Sequence, residues 1–500
     1  MKKIKAKERE DLNQKLEDYL RPIRFRESSV HPDATDGRTP FDSDFARVAL
    51  SAPVRRLQDK TQVFPLPYYD FVRNRLTHSL EVLCIARGLG LGVEKVLFQN
   101  GLFEVGKIPQ YHHAITSILE TAALVHDIGN PPFGHKIEKA IQHYFSNIPN
   151  SFIKTNFDKL SDNQKADFLH IEGNVQGFRI LRHLALAKDE FSYNLTMPTM
   201  ATIVKYPYSS LKGNQDSRKG YPHEQEKFGY LNAEEEEYFK ICDTLGMRHE
   251  GHRHPLTYVL EAADDIAYSV CDLEDVYKNE LIGTEQIQKT FEEIKEYYKK
   301  EYNYIFSDTK IDELFSNLKS DDKLTEEINM QTLRIQLQSK MIVECTKTFC
   351  EHYQEIMDGM YKGELLEDSG CDVRLLKQVC KEIVSSIYDS PDIHQKTEEA
   401  INAVNYILTG LLDAILLLDV NTPVDAPEYL LYQNISLNYR KVACESGVNV
   451  PTNIYKKFLL ATDYVFGMTD RFLMNIYNED TTTRELIIRV QSKIDNMKNH

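Results

Sequence analysis

Apolar residues recur at three- and four-residue spacing over 76–90, 114–128, 172–187, 256–275, 284–301, 323–360, 372–388, 396–419, 455–477 and 483–497. That period puts them on one face of an α-helix, so these stretches predict helices. Strict alternation, which marks a half-buried strand, is confined to short runs. The pattern therefore predicts an all-α protein. Pro and Gly cluster between the helical stretches, as in Asn130-Pro131-Pro132-Phe133-Gly134 and Lys205-Tyr206-Pro207, where proline stops a helix. The stretch 206–255 breaks the period and is rich in Gly, Lys, His, Glu and Pro, which predicts a long insertion or lid. Its acidic run Glu234-Glu235-Glu236-Glu237 reads as a solvated helix start.

Length and charge narrow the picture. A chain of 500 residues exceeds the ~250–300 that one core usually holds, so one to three domains are expected. A shift near residue 300 toward Lys, Glu and Tyr is the one candidate boundary. Sixty Lys and Arg stand against 76 Asp and Glu, a net charge of −16. That balance argues against a general phosphate-backbone binder but leaves room for a local basic pocket. The eight cysteines form no CxxC pair and read as reduced thiols of a cytoplasmic protein. The basic N-terminus has no apolar run behind it, so no signal peptide is expected. The longest apolar stretch, Tyr406 to Val420, contains Asp413 and Asp419 and falls short of the ~20 residues of a membrane span. It predicts a buried helix, and no membrane partner.

Candidate chemistry begins at Leu124-Val125-His126-Asp127-Ile128-Gly129-Asn130-Pro131-Pro132-Phe133-Gly134-His135. A His-Asp pair ends an apolar helix, and imidazole with carboxylate suits a divalent transition metal. Alone, the pair reads more readily as a capped helix end with a satisfied histidine. A new helix is expected near Gly134, carrying His135 and Glu138 three apart on one face. Upstream, His78 leads another apolar helix in Arg73-Asn74-Arg75-Leu76-Thr77-His78. Downstream, Asp264 and Asp265 interrupt a third, and carboxylates there are costly to bury unless paired or metal-bound. Asp264, Tyr268 and Asp272 are spaced by four and share a face, as a pocket wall or a surface stripe. His249, His252 and His254 resemble a second metal site, but their spacing within a Gly- and Pro-bounded run favours a loop or a phosphate- or DNA-facing edge.

The order His78, His126-Asp127, Asp264 on successive helices resembles the HD-domain metal phosphohydrolase superfamily. Longer strings, at residues 55–65, 75–79, 126–135, 171–179, 261–275 and 463–471, resemble the bacterial deoxyguanosinetriphosphate triphosphohydrolases in the same order. The resemblance implies an HD-domain helical core with further C-terminal helices packed on it. The expected division is an N-terminal segment 1–40, a catalytic core 41–295 with an insertion at about 206–255, and a helical part 296–500 that completes the pocket and assembly surface, either as a separate part or as one continuous domain with the core. It implies hydrolysis of dGTP, or of dNTPs broadly, at the α-phosphorus. A nucleotide-sensing protein without catalysis is the contrasting class.

By that resemblance, His78, His126, Asp127 and Asp264 hold a divalent metal, Mn²⁺ or Mg²⁺, with Asp265 the alternative to Asp264. His135 and Glu138 form the catalytic pair. Arg75, Lys205 and Tyr206 meet the triphosphate, while Gln62, Tyr268 and Asp272 meet the deoxyribose. Asn130 joins the substrate-binding group; vertebrate members of the superfamily carry histidine there. Glu172, Asn174 and Gln176 are expected near the site without assigned contacts. The resemblance further implies a homo-oligomer, a hexamer being the state it suggests, and a single-stranded DNA effector as in some relatives.

Overall fold

The computed structural model describes residues 5–26, 37–62, 72–185, 189–215, 219–385 and 391–498. Residues 63–65 of the first motif, the extreme N-terminus and the expected helix ends at 187 and 388 lie outside these. Among the described residues the protein is all-α, with isolated bridges and no β-strand. All eight cysteines are unpaired.

Four helices position the site, and each has a local reason to start where it does. Helix Arg75–Gln99 begins at Asn74, whose side chain accepts from the Thr77 amide at 3.0 Å while Thr77 accepts from the Asn74 amide. This reciprocal cap places Arg75 and His78 in the first turn. Helix Ala114–Val125 is buried almost all round and stops before the Pro131-Pro132 break. Helix His135–Ser146 follows Gly134. Helix Pro255–Lys278 is capped by His254 and carries proline at its first position, where a missing N–H costs nothing. The first, second and fourth of these pack on one another and bring residues 78, 126 and 264 together.

One apolar cluster runs from Leu12 to Ile476, so both halves of the sequence share a core. A smaller cluster lies beneath the C-terminal helix Thr481–Lys498. One helix, Gln395–Leu417, is long and apolar enough to cross a membrane. It packs against helices His135–Ser146, Pro427–Gln433, Ile454–Phe466 and Thr481–Lys498, as a core helix does.

Three expectations are corrected here. The stretch 206–255 is no lid: Phe228, Tyr230, Leu231, Tyr238, Ile241 and Leu245 from it are buried in the core. Its acidic run is not uniformly solvated, because Glu234 is buried and accepts from Arg179 at 2.5 Å. The helix expected over 455–477 is two, Ile454–Phe466 and Asp470–Asn478, with Thr469 capping the second. The three clustered histidines also diverge. His249 stacks on Phe239, with ring centroids 4.1 Å apart. His252 contacts the Tyr19 hydroxyl, while His254 caps its helix.

Candidate active site

The turn after Val125 is built on close approach. A side chain on Gly129 would place its Cβ 2.1 Å from the Gly173 carbonyl and 2.2 Å from the Gly177 nitrogen, so only glycine lets these segments meet. Gly134 has φ +63°, and a Cβ there would lie 2.6 Å from an Arg75 guanidinium nitrogen. Phe133 holds φ +56°, unfavourable for a bulky residue. Buried Asp470 holds this turn by accepting from the Phe133 amide at 2.9 Å and from both the amide and hydroxyl of Thr61. Fully buried Lys60 donates to the Asn130 and Phe466 carbonyls at 2.5 and 2.8 Å. Burial lowers its pKa to about 7, with Arg75 adding to the effect.

Ligand atoms of His78, His126 and Asp127 all lie within 4.8 Å of one another. The Asp264 carboxylate joins them, 3.2 Å from His78 Nε2 and 3.4 Å from His126 Nε2. His126 Nδ1 donates to the Ala123 carbonyl at 2.7 Å, which leaves Nε2 as the lone-pair nitrogen. That Nε2 is buried without a hydrogen-bond partner among the described residues. It faces Asp264 Oδ1 and also Asp127 Oδ1, 3.6 Å away. Acceptors converging at this range call for a cation between them, and this donor set suits a divalent one.

The electrostatics agree. Burial by itself would raise the Asp127 carboxyl, but Arg75 and the two histidines outweigh it and hold the group well below the usual range. Asp264 is likewise opposed by burial and held low by Lys205 and His126. Arg75 donates to Asp127 Oδ2 at 2.5 Å, and Lys205 to Asp264 Oδ2 at 2.9 Å. The neighbouring Asp265 turns away from the histidines and pairs with Lys377 at 3.0 Å. Asp264 is thus the one of the two that faces the cluster.

A cavity of about 530 Å³ opens over this cluster. Of the residues expected at the site, Gln62, Arg75, His78, Asp127, His135, Asp264, its alternative Asp265 and Tyr268 line it. His135 Nδ1 donates to Glu138 Oε2 at 2.6 Å, and Glu138 Oε1 accepts from the Gly173 amide at 2.8 Å. Burial raises the Glu138 carboxyl, while His135, Lys227 and the Gly173 amide together bring it below its ordinary value. The imidazole is exposed to the cavity while its carboxylate partner is buried.

The remaining expected residues do not form the wall. His126 lies beneath it in the cluster. Asn130 is buried behind Asp127 and donates to its Oδ1 at 2.5 Å. Lys205 is engaged by Asp264, and Tyr206 is buried against His223. Asp272 lies buried one helical turn beyond Tyr268, with both carboxylate oxygens unpartnered among the described residues. Gln176 donates to Asp463, and Asn174 to Glu172, rather than into the cavity. Sequence reading assigned no role to Thr61, Lys136, Lys139 and Thr397, which also line the cavity. The spacing of Lys136 and Lys139 from His135 could have indicated the two lysines; Thr397 comes from a distant helix with no local signal.

Residues 75–193 match the HD domain family. This match and the His/Asp cluster define the chain as an HD-domain, metal-binding hydrolase. A deoxyguanosinetriphosphate triphosphohydrolase-like protein of Listeria monocytogenes is 35% identical over 480 residues, covering 93% of this chain and 98% of the relative. A protein of the same description from Synechocystis is 30% identical, covering 88% and 93%. A deoxyguanosinetriphosphate triphosphohydrolase of Yersinia enterocolitica is 29% identical, covering 93% and 98%. The chain belongs to the deoxyguanosinetriphosphate triphosphohydrolase family.

Proposed function

We propose that this protein hydrolyses dGTP to deoxyguanosine and inorganic triphosphate, using Mn²⁺ or Mg²⁺ held by His78, His126, Asp127 and Asp264. The observation carrying this reading is that the four-residue cluster and the His135–Glu138 pair meet on one cavity. The names of the Listeria and Yersinia relatives support the choice of dGTP. A bound divalent ion supplies positive charge that polarises a phosphate oxygen.

The chain's own residues do the rest. Glu138 accepts from His135 Nδ1 and fixes the ring, leaving Nε2 to move a proton at the 5′-oxygen. The oxygen of water bonds to the α-phosphorus as the bond from phosphorus to the 5′-oxygen breaks. One proton of the water ends on the nucleoside hydroxyl, so the atoms balance. The Tyr268 ring lies on the cavity wall for the deoxyribose. Gln62 Oε1, on the cavity wall, is a buried acceptor without a partner among the described residues and suits a sugar hydroxyl, while Asp272 lies behind the wall beyond Tyr268. On the family resemblance we also read the protein as a homo-oligomer, with a hexamer the state to test by light scattering, and as open to a single-stranded DNA effector.

The test is incubation with Mn²⁺ and each dNTP, followed by ion-exchange chromatography. The expected products are triphosphate and nucleoside, released fastest from dGTP. Equal turnover of all four dNTPs would replace this reading with broad dNTP hydrolysis. Pyrophosphate and dGMP would overturn cleavage at the 5′-oxygen. Tight nucleotide binding without turnover under any metal would favour a sensor.

A further inference from the structure

The cations expected to meet the triphosphate are already engaged. Arg75 pairs with Asp127 and Lys205 with Asp264. Each of these two cations is shared with a carboxylate of the metal cluster, so neither is devoted to the phosphate chain alone. Lys136 and Lys139 differ. Both line the cavity, both are exposed, and neither has a carboxylate partner among the described residues. They stand one and four residues after His135 on helix His135–Ser146. Residues three or four apart on a helix are neighbours, about 5–6 Å between Cβ atoms. Lys139 therefore sits one turn along the helix from His135, with Lys136 beside it.

We propose that Lys136 and Lys139 grip the β- and γ-phosphates of the substrate and set its preference for a triphosphate over a shorter phosphate chain. The proposal rests on the reading of this cavity as a nucleotide-hydrolysing site. With the α-phosphorus at His135, the polyphosphate runs along the first turns of this helix. A triphosphate reaches both lysines, whereas a single phosphate at His135 does not. Lysine suits the task as a mobile point charge that follows a flexible phosphate chain. Because these ammonium groups are exposed, substrate recruits them without breaking a buried ion pair.

The test uses the metal-loaded full chain as wild type, Lys136→Gln, Lys139→Gln, the double variant and the Lys→Arg double variant. Calorimetric titration with inorganic tripolyphosphate, pyrophosphate and phosphate is run at low and physiological salt. Wild type should bind tripolyphosphate more tightly than pyrophosphate. Each glutamine variant should weaken tripolyphosphate about tenfold at low salt, with a smaller loss as salt screens the charges. The double glutamine variant should lose the preference between the two anions, and the arginine variant should keep it. With dGTP, KM should rise in the glutamine variants and kcat should change little. Metal content and the circular dichroism spectrum should match wild type. Tripolyphosphate affinity within twofold of wild type in the double variant would overturn the proposal. So would a wild-type protein with no preference between tripolyphosphate and pyrophosphate. If wild type turns over no dNTP, the dGTP reading fails while the anion titration still decides the lysines.

Discussion

The two ring nitrogens of His126 face different constraints, and the site depends on both. Nδ1 is fixed by the Ala123 carbonyl, so Nε2 presents its lone pair to Asp127 and Asp264. Asp127→Ala should therefore empty the cluster of metal, measured by elemental analysis. His135→Ala should retain metal yet lose turnover by about a hundredfold or more, the usual scale of a lost acid–base group. Equal metal loss in both variants would show that His135 is a ligand instead. A separate residue-scale effect lies at His254. Its Nδ1 accepts from the Leu256 amide and its Nε2 donates to the Tyr19 carbonyl, so the folded protein needs the neutral ring. Burial lowers its pKa to about 4, and the backbone bond to Tyr19 only partly opposes this. The unfolded chain takes up this proton near pH 6.5, whereas the folded protein takes it up near pH 4. Stability attributable to His254 is therefore present above pH 6.5 and lost between there and about pH 4, at about 1.4 kcal/mol per pH unit. His254→Asn keeps a side-chain oxygen for the cap without a titrating ring. Its melting temperature should fall less steeply with acidification than that of wild type, and parallel profiles would rule His254 out as the source.

Between helices Ala114–Val125 and His135–Ser146, a nine-residue turn sets the relation of metal cluster to acid–base pair. Gly129 permits backbone contact with residues 173 and 177, and Asp470 holds the left-handed Phe133 in place. Gly129→Ala forces a methyl group against backbone atoms that cannot rotate aside. Overpacking alone costs about 1–3 kcal/mol, so a clear drop in melting temperature is expected, with weakened metal binding. Unchanged stability and metal content would mean that the turn relaxes freely. Near this turn, Glu138 also accepts from Gly173, so the strings at 126–135 and 171–179 form one structural unit.

Across the whole molecule, the C-terminal half locks the catalytic turn. Lys60 bridges the Asn130 and Phe466 carbonyls, Arg179 forks onto Asp463 at 2.8 and 2.9 Å, and Thr397 contributes to the cavity wall. The apolar cluster is likewise shared by both halves. We therefore expect residues 1–295 alone to lack a cooperative thermal transition, because the cut exposes core faces and leaves Arg179 without Asp463. Calorimetry of the truncated chain checks this. A sharp transition would establish residue 295 as a genuine domain boundary.

The sequence by itself determined the all-α character, because helical periodicity is local and survives without knowledge of neighbours. It also determined which residues could carry the chemistry, since the His-Asp pair, the His135–Glu138 spacing and the glycines of the turn lie within a few residues of one another. Tertiary structure decided how those residues are used. Asp264 and Asp265 are adjacent and chemically alike, and only helix packing turns one toward the histidines and the other toward Lys377. Asn130 was expected at the substrate but stands behind Asp127, and Lys205 is occupied by Asp264. The stretch 206–255 looked polar enough to be a lid, yet its scattered aromatic and aliphatic residues enter the core. Partners such as Asp470 and Phe133 are far apart in the chain, so no local pattern reveals them. The physical reason is one of range: backbone preference and side-chain period act over a few residues, while burial and charge pairing are settled by whichever distant surfaces the fold brings together.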